Sequence, residues 1–124
     1  MPIYTYTTLE DPLAPDITEA YGINDNGQIV GYSFDASYHG FLYSNGAYTT
    51  LNDPSAGSSG TFAVGINDTG QIVGSYFDAN SRNHGFLYSG GSYTTFDDPL
   101  DVYGTVPYGI NNNGQIVTTS SSAP

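Results

Sequence analysis

Short apolar runs alternate with clusters of Gly, Asn, Asp and Pro along the whole chain. The runs are too brief for helices. They are rich in Tyr, Thr, Val, Ile and Phe, which predicts β-strands joined by tight turns. Three segments of the pattern align directly. They are Ala20–Gly31, Ala63–Gly74 and Pro107–Val117, each built around Gly-Ile-Asn-(Asp/Asn)-x-Gly-Gln-Ile-Val. The turn glycines 27, 70 and 114 recur at intervals of 43 and 44 residues. Tyr-Thr-Thr-(Leu/Phe)-x-Asp-Pro occurs at 6–12, 48–54 and 93–99, and His-Gly-Phe-Leu-Tyr-Ser only at 39–44 and 84–89.

Each repeat supplies four short strands. In the first they are Ala20–Asn24, Gln28–Phe34, His39–Ser44 and Ala47–Leu51. Asn26-Gly27 and Asn45-Gly46 read as hairpin turns in which both residues take positive φ. Asp53-Pro54 closes the fourth strand, because proline cannot donate to a ladder. Variable loops follow at Pro12–Thr18, Ser55–Thr61 and Leu100–Thr105. The strand Gln28–Phe34 is partly apolar on both faces, as a sheet stacked against neighbours on both sides requires. Gly22, Gly65 and Gly109 interrupt strand patterns, which marks a bulge or a close backbone approach.

A period near 40–45 residues with four strands matches the blade of a propeller. The expected fold is all-β: four-stranded antiparallel blades in a partial propeller-like array, forming one repeat domain over 1–124. Its units cover 20–51, 63–96 and 107–119, the last completed by an N-terminal strand at 4–9. That split third unit lacks a His-Gly-Phe strand.

Composition sharpens the function classes. The chain has 124 residues, 1 Lys+Arg, 12 Asp+Glu, no cysteine and a formal net charge of −11. A single basic side chain, Arg82, gives nothing to neutralise phosphates, so nucleic acid and anionic membrane surfaces are not expected partners. Hydrophobic residues at 38% and aromatic residues at 15% argue against disorder. Without cysteine there is no disulfide frame, thiol nucleophile or thiolate metal site. No apolar run reaches the roughly 20 residues of a membrane helix.

The candidate chemistry is sparse. His39 and His84 occupy equivalent positions, which favours packing and turn bonding over acid–base or metal work. No Ser-His-Asp or His-Glu-x-x-His arrangement is present, so no enzyme activity is expected. Asp97, Asp98 and Asp101 cluster, as do Glu10, Asp11 and Asp16, and Asn-Asp-Asn-Gly has some calcium-loop character. No later acid closes such a loop, so no metal or cofactor is expected. Twelve tyrosines among many Ser, Thr and Asn suit stacking on sugars. Tyr32, His39, Tyr43, Tyr76, His84 and Tyr88 are the candidate ligand residues.

The Gly-Ile-Asn-Asp-x-Gly-Gln-Ile-Val-Gly stretch, with His39-Gly40-Phe41 and His84-Gly85-Phe86, resembles the bacterial HAF family of probable extracellular repeats. The resemblance covers nearly the whole chain. It implies an exported, cell-surface or extracellular protein of propeller-like architecture, and it carries no catalytic residues. Three blades are too few for ring closure, since propellers typically have four to eight. The expected function is therefore self-association, as a six-bladed dimer or a filament. Tyr4, Thr5, Tyr6, Thr7, Thr8 and Leu9, with Gln115, Ile116 and Val117, are the candidate assembly strands. A multivalent glycan-binding module is the alternative, and an excised piece of a longer protein is another source of open ends.

Overall fold

The computed structural model describes residues 3–14, 16–101 and 104–119, which contain ten β-strands and no helix. Unit 1 comprises β1 (Ile17–Ile23), β2 (Ile29–Phe34), β3 (Tyr38–Ser44) and β4 (Ala47–Leu51). Unit 2 comprises β5 (Thr61–Ile66), β6 (Ile72–Phe77), β7 (Asn83–Ser89) and β8 (Ser92–Phe96). Unit 3 is the pair β9 (Val106–Ile110) and β10 (Ile116–Thr119). Each sheet is an antiparallel meander in chain order, and among the described residues the sheets form no closed barrel or ring.

The first strand begins earlier than its pattern predicts. Ile17, Thr18 and Glu19 pair with Phe34, Ser33 and Tyr32, so the tail of the preceding loop is strand. The β1–β2 hairpin also differs. Only Gly27 takes a positive φ there, at 75°, and Asn26 does not. The turn is held instead by Asn24, whose Oδ1 accepts from the backbone N–H groups of Asn26 and Gln28. That is a three-residue loop with a single left-handed residue, which needs only the glycine. The β3–β4 turn does have positive φ at both Asn45 (52°) and Gly46 (82°).

Gly22 and Gly65 answer both readings of a strand glycine. The register shifts between Ala20 and Gly22, and between Ala63 and Gly65. A Cβ on Gly22 would lie 2.9 Å from the Val64 carbonyl oxygen, and one on Gly65 would lie 3.1 Å from Gly109 Cα. The first strands of successive units therefore touch backbone to backbone.

The core lies between units 1 and 2. Val30 and Leu51 of unit 1 pack with Ala63, Ile72, Tyr76 and Phe86 of unit 2, all buried. Val30, Leu51, Ile72 and Phe86 each contribute about 1.5–3 kcal/mol by leaving water. The strands β2 and β6 are buried on both faces, as stacking on two sides demands.

The N-terminal segment departs from expectation. Tyr4–Leu9 forms no strand, and Ile3, Tyr4 and Tyr6 are exposed. The reason is pairing. Fourth-type strands pair with third-type strands, as β4 does with β3 and β8 with β7. Both third-type strands already have neighbours on each edge, so among the described residues this segment finds no free third-type edge.

Candidate functional site

The unit-to-unit junction is built by the Asn-Asp-x-Gly turns, which stack along the array. Asn24 Nδ2 donates to the Asn67 carbonyl at 3.0 Å, and Asn67 Nδ2 to the Asn111 carbonyl at 3.0 Å. The next residue repeats the pattern. The Asp25 N–H donates to Asp68 Oδ1 and the Asp68 N–H to Asn112 Oδ1, both at 2.8 Å. The Asn112 amide also donates to Asp68 Oδ2 at 2.9 Å. Within each turn the asparagine amide is oriented by the following glutamine, as in Asn111 Nδ2 to Gln115 Oε1 at 2.8 Å. Asp25 and Asp68 are like charges in contact. The hydrogen bond and charge of Asp68 raise the pKa of Asp25 above its ordinary value.

Comparing equivalent positions along the array isolates two unpartnered faces. Val30 and Val73 are 0% exposed, whereas Val117, their counterpart in unit 3, is 65% exposed. Ile66 is 7% exposed, whereas Ile23, its counterpart in unit 1, is 67% exposed. A shallow groove of about 310 Å³ runs along Ala20, Gly22, Ile23 and Ile29 on the outer face of unit 1. Another of about 490 Å³ lies along Gly109, Asn111, Gln115 and Val117 on the outer face of unit 3. Gln115, Ile116 and Val117 thus belong to an open face and edge, as Tyr4–Leu9 belongs to an unpaired segment. No protein-family model matches the chain, and neither a curated protein nor a solved structure matches it significantly.

The histidines form clamps around the second turn of each unit. His84 Nε2 meets Asp78 Oδ2 at 2.7 Å, and its Nδ1 meets Asp97 Oδ1 at 2.9 Å. Partial burial works against a charged ring here. Hydrogen bonds and charges from Asp78 and Asp97 outweigh it and raise the His84 pKa above its ordinary value. The same bond, with the backbone N–H groups of Arg82 and Asn80, holds Asp78 below the usual carboxylate range. His39 meets Asp35 at 3.1 Å and, in place of a second carboxylate, the Asn52 amide oxygen at 3.0 Å. Asp35 is held low by the backbone N–H groups of Ser37 and Ala36 and then by His39. Among the described residues, no group of three His, Asp or Glu side chains is arranged to hold a metal ion.

The Asp-Pro loops lie against the histidine face of the sheets. Asp11, Asp53 and Asp98 each accept from the backbone N–H two residues on, and each donates its own N–H to a threonine hydroxyl. Asp11 additionally accepts from Ser33 Oγ at 3.0 Å. Unit 2 has Tyr76 at the Ser33 position, and the Tyr76 hydroxyl bonds Thr95 instead. Among the described residues Asp53 Oδ2 consequently lacks a hydrogen-bond partner, and burial raises the pKa of Asp53.

The structure does not gather the six candidate ligand residues into one site. Tyr76 is buried and stacks on His84, with ring centroids 5.1 Å apart. Tyr43 packs on Tyr48 at 4.9 Å and Tyr88 on Tyr93 at 4.7 Å, at the far ends of their sheets from the histidines. Burial and the neighbouring Tyr88 push Tyr93 up to about 12. Tyr32 lies elsewhere, stacked on Tyr21 at 5.0 Å and edge-on to Phe62 at 4.9 Å. It borders a cleft of about 380 Å³ that also touches Val64, Ser75, Phe77 and Tyr108. Residue-type reasoning missed this cleft. The signal was the replacement of Tyr32 by Ser75 at the same repeat position.

Proposed function

We propose that the chain is a non-enzymatic, exported repeat module that self-associates head to tail. Unit 3 of one copy packs on unit 1 of the next, giving a closed ring such as a six-bladed dimer, or a filament. The observation that carries this reading is the pair of unpartnered faces. They are made of residues whose counterparts inside the chain are buried, and the inner junction provides a template for what covers them. The turns are equally matched. Among the described residues Asn111 Nδ2 donates within its own turn, to Gln115, and the Asn24 carbonyl accepts from no asparagine of another turn; placed end to end, the two continue the ladder seen at Asn24–Asn67 and Asn67–Asn111.

The N-terminal segment fits the same arrangement. Glu10 bonds the Tyr48 hydroxyl through its backbone, and Asp11 lies on Ser33, so the segment enters across the outer face of unit 1. The corresponding link of unit 2, from Leu51 to Asp53, leaves the fourth strand of the preceding unit. In this reading Tyr4–Leu9 supplies the fourth-type strand of a composite blade with β9 and β10 of another copy, a blade whose third-type strand is not among the described residues. The propeller-like arrangement and the extracellular location belong to this proposal, supported by repeat length and by the resemblance to HAF repeats.

Size-exclusion chromatography with light scattering tests it. A mass of two or more chains supports the proposal, and a monomer at every concentration sinks it. A glycan-binding reading draws on the equivalent half-buried pairs Tyr43–Tyr48 and Tyr88–Tyr93. A glycan array blank for the assembled protein removes it.

A further inference from the structure

We infer that the cleft between units 2 and 3 is a binding site for a small planar phenolic ring. The argument comes from comparing the two inner junctions position by position. At the junction of units 1 and 2, the Tyr32 ring fills the space between sheets. It stacks on Tyr21 at 5.0 Å with an interplanar angle of 15°, and meets Phe62 edge-on at 4.9 Å and Tyr38 at 5.6 Å. At the junction of units 2 and 3, every one of those four positions carries a smaller side chain. Ser75 replaces Tyr32, Val64 replaces Tyr21, Asn83 replaces Tyr38 and Val106 replaces Phe62.

The backbone does not collapse to compensate. Turn stacking, the close approach of Gly65 to Gly109 and the bridge between Asn83 and Gly104 hold the two sheets at their spacing. The outcome is a cleft of about 380 Å³, within the roughly 300–1,000 Å³ of small-ligand sites. The rings of Tyr21, Tyr32, Phe62, Phe77 and Tyr108 border it. The native Tyr32 ring shows what such a space accepts: a flat aromatic that can stack and meet edges.

Polarity selects among ring ligands. The lining is apolar except for Ser75 Oγ and the tyrosine hydroxyls. Tyr32 OH donates to Tyr21 OH at 2.9 Å, which commits part of that set already. A phenol brings one hydroxyl, which those groups can satisfy. A pyranose brings several, and hydroxyls left unpaired in an apolar slot oppose binding. The cleft is separate from the histidine clamps, and Tyr21 is shared between its border and the outer groove of unit 1.

The test is an amide chemical-shift titration of the intact chain with 4-methylphenol and, separately, methyl β-glucoside. Saturable shifts at millimolar 4-methylphenol that centre on the cleft-bordering positions of β5, β6 and β9, with Tyr21 and Tyr32 on its rim, support the site. Ser75→Tyr restores the ring found at position 32 and is expected to weaken the response at least about tenfold with the fold retained. Should that variant not fold, Val106→Phe narrows the same slot from the other sheet and is read in the same way. Absent or unsaturable shifts, an undiminished response in the filled variant, or a response to the glucoside alone would each overturn the inference.

Discussion

Val117 separates a face that awaits a partner from an ordinary exposed surface. Its counterparts Val30 and Val73 are fully buried at inner junctions, while Val117 retains 65% exposure. Covering the remainder recovers about 1–2 kcal/mol per junction, from the roughly 1.5–3 kcal/mol of a fully buried valine. Val117→Ala removes two methyl groups, worth about 1.6 kcal/mol when fully buried and about 1 kcal/mol at this exposure. That corresponds to about fivefold weaker association. Val117→Asp places an unpaired charge in a sealed apolar face. It is expected to cost about 3 kcal/mol or more, beyond a hundredfold in dissociation constant. The isolated chain should be insensitive, because an exposed substitution typically shifts stability by about 0.5 kcal/mol or less. Val73→Asp, at the same repeat position inside the chain, should not fold. Sedimentation velocity reads the association and circular dichroism melting reads the fold. A Val117→Asp protein that sediments like the wild type refutes the reasoning.

Glycines offer a parallel contrast. Gly65→Ala forces a Cβ to 3.1 Å from Gly109 Cα and should lose about 1–3 kcal/mol, whereas Gly109→Ala meets only Val117 Cγ2 at 3.6 Å and should leave the chain stable but weaken association. Equal melting temperatures for the two variants would contradict this. Ser33→Ala strips the hydroxyl from the buried Asp11 carboxylate and should lower stability by about 1–3 kcal/mol, read from the urea midpoint. The His84 clamp predicts a pH dependence. Because its pKa is raised in the folded chain, the clamp's stabilisation is complete below about pH 6.5 and is lost as pH rises through the raised value. Asp97→Asn, which reproduces the Asn52 arrangement of unit 1, should therefore lower the melting temperature most in mildly acidic buffer and least in alkaline buffer. A difference independent of pH would rule that out.

The periodic features were legible because local chemistry decides them. Asn45-Gly46 announces a two-residue turn, and apolar residues on both faces of β2 announce a sheet covered on both sides. The details that depend on neighbours were not. The first hairpin carries an Asn-Gly pair yet uses one left-handed residue, because the Asn24 side chain takes over the turn's hydrogen bonds. β1 extends back to Ile17 because Phe34, Ser33 and Tyr32 offer a free edge, which a loop-rich composition conceals. Tyr4–Leu9 has the residues of a strand but no third-type edge to join. The histidine partners are visible only once Asp35 and Asn52, or Asp78 and Asp97, are brought beside β3 and β7. The cleft is written in the difference between repeats, Tyr32 against Ser75, and not in the features they share.

The most direct test of head-to-tail packing is a filtered nuclear Overhauser experiment on a mixture of isotope-labelled and unlabelled chains. The account predicts cross-peaks between copies that link the Val117 and Gly109 region of one chain to the Gly22 and Ile23 region of another. An assembled sample whose intermolecular contacts avoid those residues, or a mixture with no intermolecular contacts at all, would contradict it.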